Sequence, residues 1–188
     1  MNATIPDGAT SGSIIVTTPF GTNTSTTTFT AAPVILSFTP GDGPAGTSVK
    51  ITGYNFATAT AVRFNGSAAT YAIVSDTEVD ATVPKNATSG PVAVAAPAGT
   101  VTSTTPFAVL PQITTFSPNS GKAGSSVVIT GTELAGVTEV RFNGQPAAFT
   151  IVSPTSIRAI VPTGNGSGPI TVTSADGTAT SAASFDAL

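Results

Sequence analysis

The chain has 188 residues, only 8% of them charged, a formal net charge of −3, and no Cys, His or Trp. Its 6 scattered Lys and Arg argue against a nucleic-acid surface, which needs clustered cations to neutralise phosphates. Without Cys or His there is no disulfide framework, no Ser-His-Asp or Cys-His catalysis, and only hard oxygen-ligand ions such as calcium remain as metal partners.

Apolar residues still make up 40% and fall in alternating runs, unlike a disordered chain of low charge. The rest of the surface is Thr, Ser, Ala and Asn, and Thr suits a pleated strand. No run of 18 or more apolar residues occurs, so no membrane span is expected. The start, Met1-Asn2-Ala3-Thr4-Ile5-Pro6, has neither a basic nor an apolar region and does not read as a signal peptide.

In chain order, residues 1–31 predict a short strand and a hairpin, Ser13-Ile14-Ile15-Val16-Thr17 with Thr22 to Phe29. Val34 to Phe38 is an opening strand, stopped by Thr39-Pro40-Gly41, and Gly43-Pro44-Ala45-Gly46 is turn chemistry. Ser48 to Thr52 alternates inward Val49 and Ile51 with outward Lys50, and Gly53 is expected to end it. Ala61-Val62-Arg63-Phe64 alternates again and runs into Asn65-Gly66, the strongest short hairpin signal. Return strands follow at 69–74, 78–83 and 90–94, and Thr100 to Phe107 closes the set after a turn near Gly99. No apolar pattern keeps a helical period for three turns.

The set then repeats at a spacing of 78 residues without insertion. Phe38 returns as Phe116, and Arg63-Phe64-Asn65-Gly66 returns as Arg141-Phe142-Asn143-Gly144. Phe29, Phe107 and Phe185 share one phase, and residue 1 is in phase with Val79. A period this long is a small domain rather than a solenoid turn. The expected division is therefore a partial repeat of closing strands at 1–31 and whole domains at 32–110 and 111–188. Each whole copy has about seven short strands, so the fold class is all-β, tandem antiparallel sandwiches. Pro111 in the short link Val109-Leu110-Pro111-Gln112 predicts a restricted angle between copies and an extended rod.

Phe38-Thr39-Pro40, Gly43, Gly46 and Val49-x-Ile51-Thr52-Gly53 resemble the opening of an IPT/TIG domain. The second copy carries the same pattern in Phe116-Ser117-Pro118, Gly121, Gly124 and Val127-Val128-Ile129-Thr130-Gly131. Val62-x-Phe64-Asn65-Gly66, Ile73-Val74-Ser75-x-Thr77, Val83-Pro84 and Gly90 continue it, and Ile5-Pro6, Gly12 and Phe29 match its closing third. The resemblance implies immunoglobulin-like sandwiches. It implies no activity, because such domains serve in surface receptors, bacterial surface proteins, accessory modules of polysaccharide-active enzymes and some transcription factors.

Candidate sites are few. Asp42, Asp76, Glu78 and Asp80 become Ser120, Pro154, Ser156 and Arg158 in the second copy, so no carboxylate pair repeats. Asp42 and Asp76 read as turn caps, since no run has the alternating spacing of a calcium loop. Asn-x-Ser/Thr triplets at Asn2, Asn23, Asn65, Asn86 and Asn165 read as turn composition. Arg63 and Arg141 alternate with inward Val and Phe, face outward, and would meet a carboxylate or a partner's polar surface. An exposed Tyr54 would stack on a sugar ring. Ile14 and Val16 give the leading hairpin a free apolar face, open to strand addition by a protein partner or a second copy.

The expectation is a non-enzymatic, cofactor-free structural or adhesion protein at a cell surface or in a filament, assembling through protein partners or self-association. A virion fibre or decoration protein, and a carbohydrate-binding accessory module, are the alternatives.

Overall fold

A computed structural model describes residues 2–6 and 8–188. Two strands, β1 (Gly12–Thr18) and β2 (Gly21–Phe29), form an antiparallel sheet of their own. The first whole copy contains β3 (Val34–Thr39), β4 (Asp42–Gly43), β5 (Ser48–Tyr54), β6 (Ala61–Phe64), β7 (Ser67–Ser75), β8 (Glu78–Thr82), β9 (Gly90–Ala96) and β10 (Gly99–Val109). The second contains β11 (Gln112–Ser117), β12 (Ser120–Gly121), β13 (Ser126–Thr132), β14 (Val137–Phe142), β15 (Gln145–Pro146), β16 (Phe149–Ser153), β17 (Ser156–Ile160), β18 (Gly168–Ser174) and β19 (Thr178–Ala187). No helix forms among the described residues.

In the first copy the strand order is β3-β5-β8-β7-β6-β9-β10-β4. The long β7 joins the two layers, pairing with β6 through Ser67–Ala69 and with β8 from Thr70 onward. In the second copy Pro146 stands where the first has Ala68, and proline cannot donate to a ladder. The strand divides there into β15 and β16, and the layers separate as β11-β13-β17-β16 and β12-β19-β18-β14-β15. Two backbone bonds still hold the crossing, Ala147 N to Val140 O at 2.8 Å and Ile160 N to Ala148 O at 2.8 Å.

Inward alternation builds each core. Val49, Ile51, Val62, Phe64, Val79, Val92 and Val94 are buried in the first copy. Val127, Ile129, Val140, Phe142, Ile157, Ile170 and Val172 are buried in the same phase of the second. Each such side chain contributes about 1.5–3 kcal/mol of burial free energy. Phe64 meets Phe107 edge-on at 5.1 Å between ring centres, and Phe142 meets Phe185 at 5.0 Å, the geometry the ring quadrupole favours.

Asn65-Gly66 and Asn143-Gly144 are two-residue hairpin turns, with φ of 43° and 87° in one and 44° and 82° in the other. Two positive φ values match the twist of flanking strands, so the Asn-Gly signal has a direct cause. Gly53 does not end its strand as expected, because β5 runs on to Tyr54. A Cβ on Gly53 would lie 1.8 Å from the Val34 carbonyl oxygen, so β3 approaches too closely for any side chain. Gly131 faces Gln112 O at the same 1.8 Å.

Residues 2–6 form no strand. Their counterpart β8 lies between β5 and β7, and among the described residues no strand comes before β1.

Candidate functional site

Three hairpins in the chain share one design. Gly12 pairs with Phe29, Gly90 with Phe107 and Gly168 with Phe185. Each has a register shift, and in each a serine hydroxyl spans it. Ser25, Ser103 and Ser181 accept from the backbone N–H of Ile14, Val92 and Ile170 at 2.9, 3.0 and 2.9 Å. The same hydroxyls donate to the carbonyls of Thr27, Thr105 and Ala183 at 2.7, 2.6 and 2.6 Å. A second serine, Ser11, Ser89 or Ser167, accepts from the N–H of Ala31, Val109 or Ala187 at 2.9, 2.8 or 3.0 Å. Backbone polar groups that the bulge frees are thus satisfied within the hairpin.

The hairpins differ in what covers them. Val92, Val94, Ile170 and Val172 are 0% exposed, whereas Ile14 is 56% and Val16 38% exposed. In the first copy β6 lies along the outer edge of β9, with Val62 opposite Val94 and Phe64 opposite Val92. The opposite layer closes over the face. Among the described residues strand β1 has no neighbour but β2, so its edge and one apolar face both meet solvent. Ile15 and Phe20 add exposed apolar surface at 64% and 100%.

The leading segment is tied to the first copy at its base. Asn55, with φ of 60°, donates through Nδ2 to Ala9 O at 3.0 Å and Ala32 O at 3.1 Å; Asn tolerates this left-handed backbone better than most residues. Tyr54 Cε1 lies 3.5 Å from where a Cβ on Gly8 would sit. Tyr54 is therefore half-buried against the segment, not the exposed platform expected for stacking.

The two arginines are exposed or nearly so, and each folds back over its own turn. Arg63 Nη1 donates to Gly66 O at 3.0 Å and Arg141 Nη1 to Gly144 O at 2.8 Å. Arg141 also donates through Nη2 to Glu139 at 2.6 Å; the first copy has Ala61 at that place. The guanidinium holds the Glu139 carboxyl below its ordinary range, and Glu139 in turn raises Arg141. A second surface pair, Lys50 with Glu78 at 2.8 Å, raises Lys50. Such exposed pairs contribute little to stability. Asp76 accepts from Ala57 N–H at 3.1 Å, the cap expected of it. Among the described residues no group of three or more His, Cys, Asp or Glu comes together to hold a metal, and no helix is long and apolar enough to cross a membrane.

Sequence reasoning passed over Asn55 and the bulge serines. The serines had a signal. Ser25, Ser103 and Ser181 recur at the 78-residue spacing, as do Ser11, Ser89 and Ser167.

The fold defines tandem immunoglobulin-like antiparallel sandwiches with a bare hairpin ahead of them. The IPT/TIG domain family is matched at residues 33–109 and again at 111–187, and the chain belongs to that family. No curated protein sequence matches the chain. Among solved structures it is similar to the surface glycan-binding protein PbSGBP-B from Prevotella bryantii, at 17% identity, over 83% of this chain and 42% of that one, with a TM-score of 0.48. It is similar to SGBP-B of the Bacteroides ovatus mixed-linkage glucan utilization locus, in complex with a mixed-linkage heptasaccharide, at 19% identity over 78% and 43%, TM-score 0.37. The extracellular region of plexin A4 matches at 23% identity over 83% and 18%, TM-score 0.39. The chain thus spans less than half the length of each of these proteins.

Proposed function

We propose that the chain is a non-enzymatic structural unit of a cell-surface or filament-forming protein, and that its leading hairpin docks a partner by strand complementation. In this reading residues 1–31 are the closing strands of a third repeat. The single observation that carries it is the contrast between one hairpin design buried in two places and open in a third.

The whole copies supply the template for the occupant. It is the opening strands of the same kind of repeat. One strand of the Ala61–Phe64 type would lie along β1, as that strand lies along β9. A layer carrying residues like Val49 and Ile51 would cover Ile14 and Val16. Main-chain bonds along the edge would give affinity and the inward side chains would give register. Residues 9–32 contain no charged side chain, so the complement is neutral and apolar. Arg63 and Arg141 serve as polar contacts on the neighbouring copies, Arg63 with the larger unused donor set.

The test adds a synthetic polypeptide of residues 33–78 to the full chain and follows mass by sedimentation. A one-to-one complex that Val16→Asp abolishes is the expected result. No complex, or one indifferent to Val16→Asp, rejects the reading.

A further inference from the structure

The outer sheet faces of the two whole copies share one form and differ in charge. In the first copy β5 and β8 pair Ser48 with Thr82, Lys50 with Asp80 and Thr52 with Glu78, on the side away from buried Val49, Ile51 and Val79. In the second, β13 and β17 pair Ser126 with Ile160, Val128 with Arg158 and Thr130 with Ser156, on the side away from buried Val127, Ile129 and Ile157. Side chains alternate across a strand, so these residues line the surface of each sheet. The 78-residue phase sets Arg158 where the first copy has Asp80, Val128 where it has Lys50 and Ile160 where it has Thr82.

The first face carries one cation and two acids. Lys50 is taken by Glu78 at 2.8 Å, and Asp80 is in no ion pair among the described residues. On the second face Arg158 is exposed, is the one charged residue of those six, and is likewise in no ion pair among the described residues. Val128 and Ile160 flank it and are 39% and 38% exposed. An unpaired guanidinium between two open aliphatic side chains suits a partner that brings a carboxylate. The first copy offers one at the same point of the same sheet, yet both faces stand open, so they do not meet within one chain.

We propose that these faces dock on each other between chains, the β13 and β17 face of one chain lying on the β5 and β8 face of a second copy, with Arg158 against Asp80. Sheets pack face to face about 10 Å apart. Val128 and Ile160 then cover the Thr82 methyl and the Lys50 stem and keep water from the ion pair. Each face is four-stranded. Strands about 4.8 Å apart and roughly five residues long give it only about 300 Å². A contact of that size is weak, and a dissociation constant of about 0.1–1 mM is expected. It joins unlike faces, so it is heterologous, and it is independent of the leading hairpin.

The test is a dilution series of the full chain in about 50 mM salt, followed by amide NMR shifts, with Val16→Asp in every sample to silence the hairpin. Amides of Asp80, Thr82, Val128 and Arg158 should shift together as concentration rises, and less so in about 0.5 M salt. Asp80→Arg and Arg158→Asp should each weaken the association about tenfold or more, because like charges then face each other. Mixing these two variants should restore it, since every unlike contact again sets a cation opposite an acid. Should either reversal fail to fold, the neutral variants Asp80→Asn and Arg158→Gln should each weaken it about fivefold. Shifts absent up to about 1 mM chain, shifts confined to other surfaces, single variants that associate as before, or a mixture that stays apart would overturn the proposal.

Discussion

The hairpins at 12–29 and 90–107 have the same register, the same serine-spanned bulge and the same closing phenylalanine, yet one is bare and the other forms a core wall. The difference lies wholly in the neighbours. A hairpin of this design satisfies its own backbone through Ser25 or Ser103, so it keeps its shape before anything covers it. Burial then comes from strands remote in sequence, and with it nearly all the hydrophobic stabilisation.

Phenylalanine deletion breaks the symmetry most sharply. Phe107 is 0% exposed and meets both Phe38 and Phe64. Phe107→Ala should cost about 3–5 kcal/mol of unfolding free energy for the first copy, read by denaturant titration. Phe29→Ala, at the same phase in the bare hairpin, should cost less than about 1 kcal/mol. Equal costs would mean the leading hairpin is covered after all.

The serines come next. Ser181 is buried and Ser25 only partly so. Ser181→Ala strands the N–H of Ile170 out of reach of water and should destabilise the second copy by about 1–3 kcal/mol. Ser25→Ala exposes the N–H of Ile14 to solvent and should cost about 0.5 kcal/mol or less by the same measurement.

Smaller effects separate the whole copies. Glu133 has a folded pKa raised by burial and Asp176. Its contribution to stability is fully present below the unfolded carboxylate pKa and is lost as pH rises through the higher folded value. Glu133→Gln should therefore raise the melting midpoint of the second copy slightly at neutral pH, and the gain should vanish in acid. Glu139 is the opposite case, held low by Arg141. Its contribution is present above the unfolded pKa and is lost as pH falls through the folded one. Glu139→Gln should lower the midpoint at neutral pH by the least of these effects, with the difference disappearing in acid.

Much of the fold was legible because its causes are local. Val49-x-Ile51 alternation, the Asn65-Gly66 turn and the 78-residue phase each predict an element that is present. Features that depend on contacts across the fold were not legible. Gly53 reads as a strand end until the Val34 carbonyl is seen where its Cβ would be. Pro146 divides a strand that its counterpart Ala68 leaves whole. The site behaved the same way. Ile14 and Val16 were recognisable as an apolar face from sequence. Tyr54 read as an exposed platform because nothing local reveals that Gly8 lies against it.

The central claim is that the opening half of this repeat is what the bare hairpin lacks. Fusing a second copy of residues 33–78 directly ahead of residue 1 restores the repeat phase, since residue 1 corresponds to Val79. Amide hydrogen exchange at Ile14 and Val16 in that fusion should slow to the level of Val92 and Val94. Fast exchange at Ile14 and Val16, with Val92 and Val94 still protected, would contradict the account.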